Sequence, residues 1–164
     1  MKLLNDAHNI EYGKNPEVAV KAPGRFHLIG EHSWFFKDKT LSMAVNLPVY
    51  AAISKREDLS LRFYFHQLNE RKKSSISSLK YKKEDRWANV IKAMVYGYIS
   101  MGYDLYGMDI TIYSEILPSA GFGITTAIKC AVVLAINELS GFNCHEQQLL
   151  QVIERGNKRL LQTN

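Results

Sequence analysis

Apolar and polar positions change period along the chain, and the changes mark its elements. Glu17 to Ala22 alternates and then meets Pro23-Gly24, a turn signal, ahead of the apolar-flanked Phe26-His27-Leu28-Ile29, which predicts a strand, a turn and a second strand. Leu47 to Ser54 is β-leaning. Leu59, Leu61, Phe63 and Phe65 alternate with Ser60, Arg62, Tyr64 and His66, the period-two pattern of a half-buried strand. Trp87, Val90, Ile91, Met94, Val95 and Tyr98 then follow helical spacing, with Gly102 just past the end. Met108, Ile110 and Ile112 alternate with Asp109, Thr111 and Tyr113 in another strand, which runs through Leu117-Pro118 and a small-residue segment into a long apolar helix ending near Leu139 and closed by Gly141. Asn143 and Glu146 have capping-box spacing before an amphipathic helix carrying Leu149, Val152, Ile153 and Leu160. Strands and helices mix without a regular βαβα alternation and without internal repeats. The predicted class is α+β, a mixed β-sheet packed with helices, with residues 1–164 forming one domain.

Composition narrows this reading. With 46% hydrophobic and 23% charged residues the chain has enough apolar matter for a packed core, which excludes a disordered chain or a disulfide-stapled miniprotein. No apolar run reaches the roughly 18 residues of a membrane span, and the opening MKLLNDAHNIEYGKN loses its apolar character after Leu4, so neither a span nor a leader is expected. Cys130 and Cys144 are the two cysteines, the first inside an apolar helical stretch, and they suggest a reducing, cytoplasmic setting rather than a shared metal site. The net charge of +5 is local: residues 71–86, RKKSSISSLKYKKEDR, hold seven basic and two acidic residues, and the remainder balances. This serine-bearing stretch reads as a solvated loop, and a nucleic-acid partner is not expected.

Two clusters could carry chemistry. Ser119, Ala120, Gly121, Gly123, Thr125 and Thr126 lie between a predicted strand and the N-terminus of the apolar helix, where free amides and the helix dipole would receive a phosphate. The same residues also suit a tight turn whose glycines only relieve strain. No Gly-Lys-Ser/Thr follows and the third glycine of a dinucleotide fingerprint is lacking, which removes those two motifs. The second cluster is APGRFHLIGEHSWFF, residues 22–36, with Arg25, His27, Glu31 and His32 close in sequence. It has no HExxH or paired-cysteine spacing for zinc. A guanidinium beside a carboxylate can hold a polyol or a phosphate, or form a surface ion pair on a turn.

Taken together, the clusters resemble the GHMP small-molecule kinases and, within them, the galactokinases. Gly24, Arg25, Leu28, Ile29, Gly30, Glu31 and His32 match the signature Gly-Arg-x-Asn-Leu-Ile-Gly-Glu-His-Thr-Asp-Tyr. LSMAVNLPVYAAIS at 41–54 is similar to its continuation, RWANVIKAM at 86–94 to the family's Trp-Ala-Asn-Tyr-x-Lys-Gly, and GMDITIYSEILPSAGFGITTA at 107–127 to its strand and phosphate loop. The resemblance implies an N-terminal kinase domain that binds ATP at the 119–126 loop, with Trp87 and Asn89 toward the base. It implies a sugar held by Glu31 and His32, with Arg25 as the catalytic cation and Thr125 as the residue nearest to a role in Mg²⁺ binding. The implied reaction is phosphoryl transfer from ATP to a sugar hydroxyl, driven mainly by positioning and electrostatics.

The departures fall on chemistry. His27, Ser33 and Trp34 stand at the family's Asn, Thr and sugar-binding Asp, while Phe122, Gly123 and Ile124 replace a Leu and two Ser of the phosphate loop. QVIERGNKRLLQTN resembles the helix that precedes the family's Gly-Ile-Met-Asp-Gln segment, so the catalytic aspartate and the C-terminal GHMP domain are expected beyond residue 164, and these residues alone are not expected to be a competent kinase. On this reading the chain is a truncated remnant or a separate chain supplies the C-terminal half; the alternative is a non-enzymatic nucleotide- or sugar-binding or dimerising module, whose bare face pairs with a partner such as a second copy.

Overall fold

The computed structural model describes residues 1–29, 41–116 and 123–161. The elements run α1 (Lys2–Tyr12), β1 (Val18–Ile29), β2 (Leu41–Lys55), β3 (Ser60–Phe65), β4 (Glu70–Ser75), α2 (Trp87–Ser100), β5 (Met108–Ser114), α3 (Ile124–Ser140) and α4 (Glu146–Gly156), which continues as a π-helical turn over Asn157–Leu161. The five strands form one mixed sheet in the order β1-β2-β5-β3-β4. β3 and β5 are parallel and every other pair is antiparallel. This is the α+β class that the sequence predicts.

Alternation along the strands sorts the two faces. Val49, Ala51 and Ile53 of β2, Leu61, Phe63 and Phe65 of β3, and Met108, Ile110 and Ile112 of β5 pack with α2 and α3 into the main core. The intervening residues face the other way, toward α1. Its buried stripe is Leu4, Ala7 and His8, a helical i, i+3, i+4 set in which a histidine completes the face. His8 is fully buried, with Nδ1 2.8 Å from the Thr111 hydroxyl and Nε2 2.8 Å from the Ser54 hydroxyl. Nearby, the buried Asp109 carboxylate meets Lys14, Arg56 and Arg62 at 3.4, 3.1 and 3.3 Å. Gly13, at φ +71°, ends α1 in the left-handed conformation that glycine adopts without strain.

The helices α2 and α4 cross at backbone contact. A β-carbon on Gly97 would run into the carbonyl of Val152, and one on Gly156 would run into the carbonyl of Ala93. Tyr98, buried beside this crossing, donates its hydroxyl to the Val133 carbonyl of α3 at 2.6 Å.

Four local expectations are corrected. The amino-terminal segment, read only for the absence of a leader, is helix α1. Pro23-Gly24 does not end a strand: β1 runs through it with a register shift, and Pro23 lies opposite Pro48 of β2. Proline is tolerated here because β1 is an edge strand, and the shift absorbs the bend. The first five residues of the stretch read as a basic loop, 71–75, belong to an edge strand, β4, where charged side chains blunt an exposed edge. The cap of α4 lies two residues later than expected, because Gln148 accepts from the His145 amide at 2.7 Å, while Asn143 takes a left-handed φ of +53° in the connection.

Candidate functional site

Strand β1 and the start of α3 meet at one end of the sheet. Gly123 takes a left-handed φ of +70° as the residue before α3, and the position of its missing side chain lies 3.5 Å from the Arg25 β-carbon. Among the described residues no side chain caps the first-turn amides of α3, so that positive end of the helix is directed at the space beside Arg25. A cavity of about 230 Å³ opens there between the Arg25 strand, Met43 and Ala44 of β2, and Gly123, Thr126 and Cys130. Sites that enclose a whole drug-sized ligand run to about 300–1,000 Å³, so the described part suits one end of a ligand. One exposed guanidinium, one hydroxyl and a helix N-terminus make a donor set for an anion.

Thr126 lines this cavity, whereas Thr125 is exposed on the same helical turn and is not part of the lining. Mg²⁺ takes oxygen ligands, usually one or two carboxylates together with phosphate oxygens. The described lining supplies one hydroxyl and no carboxylate. These residues therefore fit an anion and not a resident metal, and no group of three or more metal-ligating side chains gathers among the described residues. Glu31, His32, Ser119, Ala120 and Gly121 lie outside the described residues.

Trp87 and Asn89 sit at the start of α2 and behave differently. Asn89 is buried and turned inward: its carbonyl accepts from the Lys82 amide at 3.2 Å and its amide donates to the Lys82 carbonyl at 2.7 Å. Lys92, one turn on and 1% exposed, donates to the Lys80 carbonyl at 2.6 Å and to Asp85 at 2.7 Å. The polar residues of WANVIK are thus a clamp on the incoming 80–85 segment. Trp87 is half-buried, its ring edge-on to Phe65 at 5.3 Å, and its Nε1 donates to Glu70 at 2.7 Å. Glu70 lines a wider cleft of about 690 Å³ together with Arg71, Lys72, Lys83, Glu84 and Arg86.

Residues 6–55 match the galactokinase galactose-binding signature, and residues 88–163 match the N-terminal domain of GHMP kinases. The chain belongs to the GHMP kinases and is galactokinase-like in this N-terminal region. A Treponema pallidum protein provisionally named a galactokinase is 39% identical over 164 residues, all of this chain and 41% of that protein. The Ligilactobacillus salivarius galactokinase is 32% identical over 161 residues, 96% of this chain and 42% of that enzyme. In fold, the chain superposes on the Lactococcus lactis galactokinase crystallised with galactose at a TM-score of 0.83, with 20% identity, 99% of this chain and 43% of that one covered. The mevalonate kinase of Methanococcus jannaschii shares the GHMP fold more loosely, at a TM-score of 0.66 with 19% identity, over 86% of this chain and 46% of that one. The chain therefore spans about two-fifths of the length of the galactokinases it matches. Among the described residues no helix is long and apolar enough to cross a membrane.

Two residues of this region escaped the sequence reading. Cys130 lines the cavity one helical turn after Thr126, a spacing that could have flagged it. Its thiol is pushed up by burial, with Arg25 opposing. Glu70 carried no signal, since a glutamate opening a charged strand matches no motif.

Proposed function

We propose that this chain is the ATP- and sugar-binding part of a galactokinase-type kinase, whose overall reaction is phosphoryl transfer from Mg-ATP to a galactose hydroxyl. The observation that carries the reading is the convergence of Arg25, Thr126 and the N-terminus of α3 on one cavity, inside the region matched by the family. Phosphate oxygens enter the helix N-terminus, where amides and dipole favour negative charge. Arg25 holds a terminal phosphate oxygen by charge-assisted hydrogen bonds that strengthen as charge shifts during transfer. Thr125 and Thr126 add hydroxyls at the same turn. Glu31 and His32 bind sugar hydroxyls, while Trp87 lies toward the base. Trp34, at the family's aspartate position, alters the sugar contacts, because an indole donates one hydrogen bond and accepts none.

These 164 residues by themselves bind nucleotide without turning it over. No carboxylate belongs to the described lining to take the hydroxyl proton. A missing positioned acid–base group costs about 10²–10⁴ in rate. Calorimetric titration with ADP, alongside an assay of galactose-dependent ATP consumption, tests both statements. Saturable binding without turnover is the expected result. Failure to bind ADP overturns the nucleotide site, and galactose-dependent turnover overturns the division between binding and catalysis.

A further inference from the structure

We propose that Glu70 is a positioning residue that locks the Trp87 indole into the orientation in which it receives a nucleotide base. The proposal rests on the reading above that Trp87 faces the base. Glu70 opens β4 and Trp87 opens α2, so the contact ties the strand to the helix across 17 residues of sequence. One carboxylate oxygen accepts from the indole Nε1 at 2.7 Å, and the other accepts from the guanidinium of Arg86.

An indole has one hydrogen-bond donor, and here the protein occupies it. A ligand can then engage Trp87 only through the ring itself, as a stacking surface. Such a surface is useful when its plane is fixed in advance, since ordering a ring upon binding costs affinity. Two contacts fix this plane: the carboxylate holds the nitrogen edge, and the Phe65 ring packs against the indole at 5.3 Å and 75°. The backbone beneath is fixed separately by the Asn89 and Lys92 clamp on residues 80–85. Arg86, just before the helix, adopts a positive φ of +40°, uncommon for a residue with a side chain. Its guanidinium is held by the same carboxylate, so Glu70 stabilises the strained turn and the ring together. The donated bonds from Trp87 and Arg86 hold the Glu70 carboxyl below the usual carboxylate range, as expected of an acceptor used in its charged form.

Quenching is read in the 164-residue chain carrying Trp34→Phe, so that Trp87 is the one remaining tryptophan, and ADP binding is read with Trp34 in place. Acrylamide quenching of Trp87 emission reads the lock, and calorimetric titration with ADP reads its consequence. Glu70→Ala is expected to raise quenching severalfold and to weaken ADP binding about tenfold, a fraction of what base–aromatic stacking supplies. Glu70→Gln, which keeps an oxygen acceptor for the indole, is expected to recover most of both readouts. Unchanged quenching in Glu70→Ala overturns the lock, and a looser ring with undiminished ADP affinity overturns the positioning role. If the parent chain with Trp34 in place binds no ADP, the nucleotide reading fails and the positioning role fails with it, while quenching still reports whether the lock exists. A melting curve for each variant separates these outcomes from unfolding, and Glu70→Gln remains decisive if Glu70→Ala does not fold.

Discussion

Gly97 lies directly against the backbone carbonyl of Val152, with no space between them for a β-carbon. Gly156 stands in the same relation to Ala93, so each helix presents its glycine to the other's backbone. Gly97→Ala should therefore destabilise the protein although alanine is the better helix former. Overpacking costs about 1–3 kcal/mol and outweighs the ~1 kcal/mol of helix propensity gained. Urea unfolding of Gly97→Ala beside the parent checks this, and a variant of equal or greater stability would show that the helices separate freely.

His8 makes stability depend on pH. Burial lowers its pKa from the ordinary 6.5 to about 4, with the Asp109 charge opposing and Lys14 assisting. Between these values the unfolded chain binds a proton that the folded chain does not, so the contribution of His8 is complete above pH 6.5, falls as pH drops toward 4, and stays flat below. The change amounts to at most about 3 kcal/mol. His8→Gln, which can still hydrogen-bond with the Thr111 and Ser54 hydroxyls, should be less stable at neutral pH yet flatter across the window. Denaturant midpoints at several pH values compare the two slopes, and parallel slopes would refute the assignment.

Lys92 and Asp85 form a buried pair at 2.7 Å. Lys92→Met strands the Asp85 carboxylate and should cost about 3–5 kcal/mol, whereas Lys92→Met combined with Asp85→Leu should recover much of the loss. Thermal melts of the two variants decide it. A double variant as unstable as the single one would place the cost in the lost Lys80 contact instead.

At the cavity, Arg25→Ala should weaken binding of a non-hydrolysable ATP analogue about tenfold or more, as expected for the loss of a charge-assisted hydrogen bond, and Arg25→Lys should restore only part of it. Gly123→Ala faces ordinary contact distances but must hold φ near +70°, at a cost of about 1–2 kcal/mol to the start of α3. Titrations with the ATP analogue combined with melting curves separate the two effects. Full affinity for the ATP analogue in Arg25→Ala would remove Arg25 from the site.

What the sequence disclosed follows from how each element is held. β3, β5, α2 and α3 bury one face against apolar neighbours, so their periods are visible residue by residue. α1 was invisible because its stripe is finished by His8, whose burial depends on hydroxyls 46 and 103 residues away. β1 was split in reading because the tolerance for Pro23 comes from its place at the sheet edge, a tertiary fact. In the site, Arg25, Gly123 and Thr126 were nominated by motif and do come together. Motif spacing could not tell that Asn89 turns inward while Trp87 stays partly open, because that depends on where the 80–85 segment returns. It was equally silent on Glu70, which acts through a partner brought near only by the hairpin of β3 and β4.

The strand order carries a consequence for assembly. β1 with β2 and β3 with β4 are local hairpins, but β5, emerging last, is the seam between them. A growing polypeptide that has not yet produced Met108–Ser114 owns two ribbons with nothing to join them. Nascent chains halted before that strand should be protease-sensitive along their whole length, and resistance should arise in a single step once the seam is available to both sides.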